Sequence, residues 1–226
     1  CALPIYRTWF RSQIQTTLAG DAFGKDWSVE MIAGVVYGMY MNTTGGVAGA
    51  KYESLELSKL SSKFDEYLMD YNLNTTKPMN LVFFNDCIMH LSRISRIITQ
   101  PRGCALLVGV GGSGKQSLTR LPSYICNATC FQITLTKTYN ANNLLEDFKP
   151  LYRRAGVQGK GVTFMFTDKE IKEEGFLEYI NIFLNTGELP NLFPRDELDA
   201  IIGEVGIRSE EHTSELQSRQ YLRMPS

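Results

Sequence analysis

Residues 104–118 read CALLVGVGGSGKQSL, and the prediction of the fold starts from them. The apolar run at 104–110 has the composition of a buried strand. It leads into Gly109, four further residues, Gly114 and Lys115, which is the spacing of a phosphate-binding loop, and then into a segment with helical spacing. The order of strand, loop and helix predicts a nucleotide site of the P-loop type.

The loop supplies the groups that bind phosphate. Glycine lets the backbone turn its N–H groups inward at angles and distances that a Cβ would obstruct. The lysine adds a positive charge, and the helix presents its unpaired amides and positive dipole end to the same anion. We therefore predict that these residues bind the nucleotide phosphates: Gly109, Val110, Gly111, Gly112, Ser113, Gly114, Lys115, Gln116 and Ser117.

The residue after Lys115 departs from the motif. A P-loop has Ser or Thr there, whose hydroxyl binds Mg²⁺, whereas this chain has Gln116. Ser117 lies about 100° further around the helix and cannot take the same place. The remaining candidates for a ligand are the Gln116 amide oxygen or a water, so the sequence predicts a weakened Mg²⁺ site.

The composition is that of an ordinary globular protein. Hydrophobic residues make up 43% and charged residues 21%, and the net charge of −1 gives no general attraction to nucleic acid or to an anionic membrane. The five cysteines form no CxxC pair and fall mostly in apolar segments, which suits free thiols in a reducing, intracellular compartment. No transmembrane run or secretory signal is recognised.

Apolar periodicity predicts two helices before the loop. Residues 7–51 have a weak pattern, and helix and loop are predicted there without bounds. The apolar faces of the two helices are Leu57, Leu60, Phe64, Tyr67, Leu68 and Tyr71, and then Leu81, Phe84, Ile88, Leu91, Ile94 and Ile98. His90 has no metal-ligand partner at a suitable spacing and is interpreted as a solvent-side or packed residue. For Arg93, Arg96 and Arg102, a solvated helix face is favoured over a phosphate contact.

Strands and helices alternate after the loop. Pro122 predicts a kink or an early end in the first helix. Strands are predicted at 130–136 and 162–168, separated by a helix that begins with an Asn143–Glu146 capping box and ends at Gly156. A further helix, with a charged start at 169–174, ends at Gly187. The alternation predicts an α/β fold with a mostly parallel sheet.

Hydrolysis would require an acidic pair at the end of the second nucleotide-binding strand, one residue for Mg²⁺ and one to polarise water. The chain has Thr167-Asp168-Lys169 there. If Asp168 is the metal-side residue, Lys169 stands in the place of the base; if Asp168 is the base, Thr167 replaces the metal-side carboxylate. A core strand with an incidental terminal Asp168 is the alternative. Asp168 is thus the candidate catalytic residue and, with Gln116, a candidate metal ligand.

Several separated motifs closely resemble the fourth AAA+ module of an axonemal dynein heavy chain. The resemblance runs from about residue 23 to residue 205. The motifs, in order, are PMNLVFF at 78–84, RISRI at 93–97, QPRG at 100–103, GVGGSGKQSL at 109–118, FTDKEIKEE at 166–174 and GELPNLFP at 187–194.

The resemblance implies an AAA+ core within a six-module ring that moves on microtubules in cilia and flagella. It implies a site for ATP or ADP that regulates rather than provides the main hydrolysis, with Leu81 and Val82 near the adenine. The implied partners are the neighbouring modules of the same heavy chain, the intermediate and light chains, and microtubules through the parent motor. The implied location is the cytoplasm, the cytoskeleton and the axoneme.

Both ends are expected to be foreign to the fold. Residues 1–6 and 208–226 resemble translated sequencing adapters, which leaves residues 7–207 as a partial AAA+ module. By the topology of the family, this module ends before the sensor strand, so the P-loop strand is expected to lack its sheet neighbours. Three functions are therefore weighed: a regulatory nucleotide-binding module, a working ATPase and a fragment that does nothing alone.

Overall fold

A computed structural model describes residues 8–9, 12–13, 16, 36–39 and 53–206. The chain divides into two compact units, Cys1–Ser92 and Arg93–Ser226. The predicted foreign ends, 1–6 and 208–226, lie outside the described residues, as does most of the stretch 7–51.

The first unit contains a short antiparallel pair of strands. Strand β1 (Val36–Gly38) pairs with β2 (Glu53–Leu55), so that Val36 lies opposite Leu55. This strand corrects the prediction of helix and loop for 7–51. Three residues carry too short a pattern for a local reading, and their conformation is set by pairing with a segment further along the chain.

Helix α1 (Leu57–Asn74) follows and buries Leu60, Phe64 and Leu68, which confirms the predicted face. Helix α2 (Asn85–Thr99) begins four residues later than the apolar period suggested, because residues 81–84 are not helical. Upstream, the Asn72 side chain bonds both backbone groups of Met79, each at 2.9 Å. These bonds hold that backbone in a non-helical conformation.

The second unit contains a β-α-β arrangement. Helix α3 (Lys115–Ile125) precedes β3 (Thr129–Gln132), and helix α4 (Ala141–Tyr152) connects β3 to β4 (Val162–Met165). The two strands are parallel, with Thr129 opposite Val162 and Gln132 opposite Met165. Helix α5 (Gly175–Thr186) and helix α6 (195–206) follow. The mixed α/β fold with a small parallel sheet agrees with the predicted fold class.

The predicted strand at 104–110 does not join a sheet among the described residues. Leu106, Val108 and Val110 are 91%, 87% and 78% exposed. An apolar run becomes a strand only when a neighbour accepts and donates its backbone hydrogen bonds, and no described segment pairs with this one. The prediction of a buried strand was therefore wrong for this structure.

Several helix boundaries also differ from the sequence pattern. Pro122 was predicted to cause a kink or an early end; helix α3 extends three residues past it, so the early end is wrong. Helix α4 starts at an Asn140–Asn143 capping box, three residues before the predicted one, because the Asn140 side chain accepts from the backbone of Asn143. Gly156 does not end α4 but lies inside a π-helical turn, Arg153–Val157.

An aromatic core fills the space between the two parallel strands and helices α4 and α5. Its buried members are Ile133, Tyr139, Leu144, Phe148, Phe176, Leu189 and Leu192. The ring of Phe148 lies 5.1 Å from that of Phe164 and 5.8 Å from that of Phe183. Helix α5 ends at Gly187, whose φ of 77° confirms the predicted glycine cap.

Candidate nucleotide-binding site

The phosphate loop turns tightly immediately before α3. Gly112 and Gly114 have φ values of 78° and 76°, in the left-handed region that side chains disfavour. Helix α3 begins at Lys115 with Gly114 as its N-cap and without a side-chain cap. The first amides of the helix have no intrahelical acceptor. The turn therefore presents N–H donors at the N-terminal end of α3.

The Lys115 ammonium is folded into the loop. Its Nζ donates to the carbonyl oxygens of Gly109 at 2.6 Å and Val110 at 2.8 Å, and lies 3.3 Å from the hydroxyl of Ser113. All three donors of the ammonium are directed at the loop itself. The ammonium is therefore held by oxygen atoms of the loop itself.

Three glycines of the loop have open space at the position of a side chain. A Cβ added to Gly111, Gly112 or Gly114 would meet no atom within 4 Å. At Gly109 it would lie 3.2 Å from the Ser113 hydroxyl. The conformation, rather than crowding, requires glycine at 112 and 114.

Gln116 and Ser117 are half-buried in the first turn of α3. The other predicted metal ligand, Asp168, is exposed and begins a 3₁₀ turn, Asp168–Glu170, after β4. Among the described residues, no cluster of three or more His, Cys, Asp or Glu could hold a metal ion. The two predicted ligands therefore lie on separate elements, Gln116 on α3 and Asp168 in the turn after β4.

Glu170, which the sequence placed in a charged helix start, is buried with 4% of its surface exposed. Its Oε1 accepts from Gln132 Nε2 at 2.7 Å, and its Oε2 accepts from the backbone N–H of Thr167. Gln132 in turn accepts from Arg120 Nη2 at 2.8 Å. The sequence did not predict this network, because its three side chains lie on three different elements; the Thr167–Glu170 spacing of a capping box is the one local signal in it.

The rest of the charged stretch also differs from the prediction, because α5 begins only at Gly175. Lys172 Nζ donates to the backbone oxygens of Lys137 at 2.6 Å and Tyr139 at 3.0 Å. The lysine therefore joins the segment after β3 to the segment after β4. Its role here is to hold two loops together.

The proposed adenine neighbours, Leu81 and Val82, belong to the first unit. They lie in the non-helical segment before α2, where Leu81 is half-buried and Val82 is 79% exposed. His90 is exposed on α2, in agreement with the solvent-side interpretation. Arg93, Arg96 and Arg102 are exposed as well, as a solvated face predicts.

Within the described part of the chain, no helix has the length and apolarity required to cross a membrane.

Comparison with known proteins identifies the family. A family model described as the P-loop containing dynein motor region D4 matches residues 79–223. Dynein axonemal heavy chain 5 of Rattus norvegicus is 56% identical over 164 residues, which is 71% of this chain and 5% of that protein.

Two further relatives agree. Dynein axonemal heavy chain 6 of Homo sapiens is 44% identical over 201 residues, covering 88% of this chain and 5% of the relative. The dynein alpha chain of the flagellar outer arm of Chlamydomonas reinhardtii is 45% identical over 166 residues, covering 73% of this chain and 4% of the relative. The chain therefore spans about 5% of the length of these relatives. The phosphate loop, the family model and these relatives together show that the chain belongs to the axonemal dynein heavy chains and carries their P-loop motor region D4.

Proposed function

We propose that this chain binds an adenine nucleotide at its phosphate loop and acts as a regulatory AAA+ module of a microtubule motor in cilia and flagella. The observation that carries the proposal is the loop itself, where Lys115 Nζ lies 2.6 Å and 2.8 Å from two loop carbonyls beside open space. A lysine held in this way can exchange carbonyl oxygens for phosphate oxygens with a small movement.

The residues of the loop divide the work of holding a phosphate chain. The backbone N–H groups of Gly111, Gly112, Gly114 and the first turn of α3 can donate to phosphate oxygens, since a P-loop binds phosphate mainly through its backbone. Lys115 supplies the compensating charge. Leu81 and Val82 are proposed as apolar neighbours of the adenine.

Hydrolysis at this site is proposed to be slow. Asp168 is exposed and is followed by Lys169 rather than by a second carboxylate, and a missing general base costs roughly 10²–10⁴ in rate. Bound Mg²⁺ would neutralise charge on the phosphates. Gln116 and Asp168 are the proposed ligands, and they offer it one carboxylate oxygen and one amide oxygen, with the amide in place of the hydroxyl of an ordinary P-loop.

The chain's place in a larger assembly follows from its family and is also part of the proposal. The module would transmit the state of its nucleotide to neighbouring AAA+ modules of the same heavy chain. The complete motor, with its intermediate and light chains, would act on microtubules in the axoneme.

The experiment measures ADP binding at this loop in the heavy-chain motor that carries it. Protection of the amides of 109–118 from hydrogen exchange reports occupancy of this site alone. Lys115→Ala should weaken ADP about 10–100-fold, since a hydrogen bond to a charged group contributes about 1.5–3 kcal/mol. Lys160→Ala, at an exposed lysine in another loop, is the matched control. Equal ADP protection in wild type and Lys115→Ala would refute the proposal.

A working ATPase is the competing function, and the same motor separates the two. In a single turnover, ATP bound at the loop should be recovered largely unhydrolysed, and Asp168→Asn should change that fraction little. Rapid hydrolysis at this loop that disappears in Asp168→Asn would establish the ATPase instead.

A further inference from the structure

Three polar side chains connect the helix of the phosphate loop to the acidic turn. Arg120 lies on α3, Gln132 ends β3, and Glu170 ends the 3₁₀ turn after β4. Arg120 Nη2 donates to Gln132 Oε1 at 2.8 Å, and Gln132 Nε2 donates to Glu170 Oε1 at 2.7 Å. The two bonds span 12 and 38 residues of sequence, so they join elements that no local interaction relates.

The direction of each bond is fixed by chemistry. A guanidinium can only donate, so the Gln132 oxygen must face Arg120 and its NH₂ group must face Glu170. Both Glu170 oxygens then act as acceptors, since the second receives the Thr167 N–H. Among the described residues, Glu170 forms no direct ion pair, so the arginine reaches this buried carboxylate only through the glutamine.

Glutamine suits the central position because it accepts on one side and donates on the other. A glutamate there would repel Glu170, and a methionine of similar size would contact neither partner. Removing the Gln132 amide leaves the buried Glu170 carboxylate with one hydrogen-bond donor fewer, which lowers the stability of the folded state. The turn that contains Asp168 is thus bonded to Gln132 at the end of β3, and through Gln132 to Arg120 on α3.

Helix α3 begins at Lys115, five residues before Arg120, and packs against both β3 and β4. Phosphate binding acts on the first turn of this helix, and a helix transmits a displacement along its length as a stiff body. A shift of α3 relative to β3 is therefore expected to change the Arg120–Gln132 bond and, through Gln132, the turn 168–170.

We propose that Arg120, Gln132 and Glu170 are positioning residues that couple occupancy of the phosphate loop to the conformation of the Asp168–Glu170 turn. The coupling rests on the proposed nucleotide binding. Under this proposal, nucleotide binding at the loop changes the conformation at the carboxyl edge of the parallel strands. None of the three side chains contacts the phosphate in this mechanism, because they act through α3 and the turn.

The test uses the heavy-chain motor and follows two regions by hydrogen exchange with and without ADP. Amides 109–118 report binding, and amides 167–172 report the turn. In wild type, ADP should change exchange in both regions. In Gln132→Met, ADP affinity should stay within about threefold of wild type, while the ADP-induced change at 167–172 is lost. Gln158→Met, at an exposed glutamine in another loop, should behave as wild type.

A second pair of variants guards against misfolding of Gln132→Met. Arg120 is half-buried, so Arg120→Met should fold and also lose the response of the turn, whereas Arg120→Lys keeps a donor and should recover part of it. An unaltered response at 167–172 in Gln132→Met or in Arg120→Met overturns the coupling, as does a wild type that binds ADP without any change there. Absence of ADP protection at 109–118 in wild type refutes the proposed nucleotide binding itself, and the coupling with it.

Discussion

The aromatic core and the phosphate loop of the second unit are built on opposite principles. In the core, Phe148 and Phe176 are 2% and 0% exposed and touch other rings. In the segment that leads into the loop, Leu106 and Val108 are 91% and 87% exposed. The core is held by apolar contacts between distant elements, whereas the loop is held by the hydrogen bonds of one lysine to its own backbone.

The contrast between the aromatic core and the phosphate loop predicts which region determines stability and which determines ligand binding. Burial of apolar surface contributes about 25 cal/mol per Å², so the free energy of unfolding is concentrated in the core. The loop buries little and keeps its donors accessible. Substitutions in the core should therefore lower stability, and substitutions in the loop should alter ligand binding with little effect on stability.

The largest expected effect comes from Phe148→Ala. Removing a buried ring leaves a cavity and should cost about 3–5 kcal/mol. Local opening energies of the amides in α4 and β4, obtained from hydrogen exchange of the heavy-chain motor, measure the loss. Phe84→Ala removes a ring that is 63% exposed and should cost less than about 0.5 kcal/mol. Similar losses for both variants would break the distinction between core and surface.

The second prediction compares two glycines of the segment around the loop. A Cβ on Gly103 would lie 1.8 Å from the backbone oxygen of Ile97, whereas one on Gly111 would meet nothing within 4 Å. Gly103→Ala should therefore destabilise the turn by about 1–3 kcal/mol through enforced backbone movement. Gly111→Ala should leave stability unchanged and weaken ADP binding, because its methyl group enters the open space.

Opening energies from hydrogen exchange and ADP titrations of both glycine variants decide this comparison. Unchanged stability in Gly103→Ala would show that the backbone at Gly103 accommodates a methyl group as easily as the backbone at Gly111. Wild-type ADP binding by Gly111→Ala would mean that phosphate does not use the open side of the loop.

The smallest effect concerns a polar bond at the edge of the core. The Tyr139 hydroxyl donates to Asp147 Oδ2 at 2.6 Å, and Tyr139→Phe should cost about 1–2 kcal/mol. Burial, followed by this bond to the Asp147 carboxylate, raises the pKa of Tyr139 above its ordinary value. An unfolded tyrosine ionises near pH 10, so the contribution is complete below about pH 10 and is lost as the pH rises toward the higher folded pKa.

The measurement is the difference in stability between wild type and Tyr139→Phe from about pH 8 to pH 11. The difference should be constant up to about pH 10 and should shrink above it. A difference that grows with pH would show that the phenol is not the donor in the folded protein.

Local chemistry carried much of the prediction. The spacing from Gly109 to Lys115 identified the phosphate loop, since the backbone conformation of such a turn depends on glycines close together in sequence. The apolar face of α1 and the glycine cap at Gly187 were likewise predicted, because helical periods and caps are set within one or two turns. The motifs along the chain also indicated the dynein family, which the comparisons confirm.

What depended on distant partners was decided only by the tertiary structure. The run 104–110 has the composition of a strand, but strand formation requires a neighbour, and none of the described segments pairs with it. Glu170 looked like part of a solvated helix start until the fold buried it beside Gln132, which is 38 residues away in sequence. The sequence alone predicts where a phosphate would be bound, because the groups of the loop are adjacent along the chain. The fold alone decided that Glu170 is buried and that Gln132 bonds to it, because a buried polar group takes its partners from whatever elements pack around it.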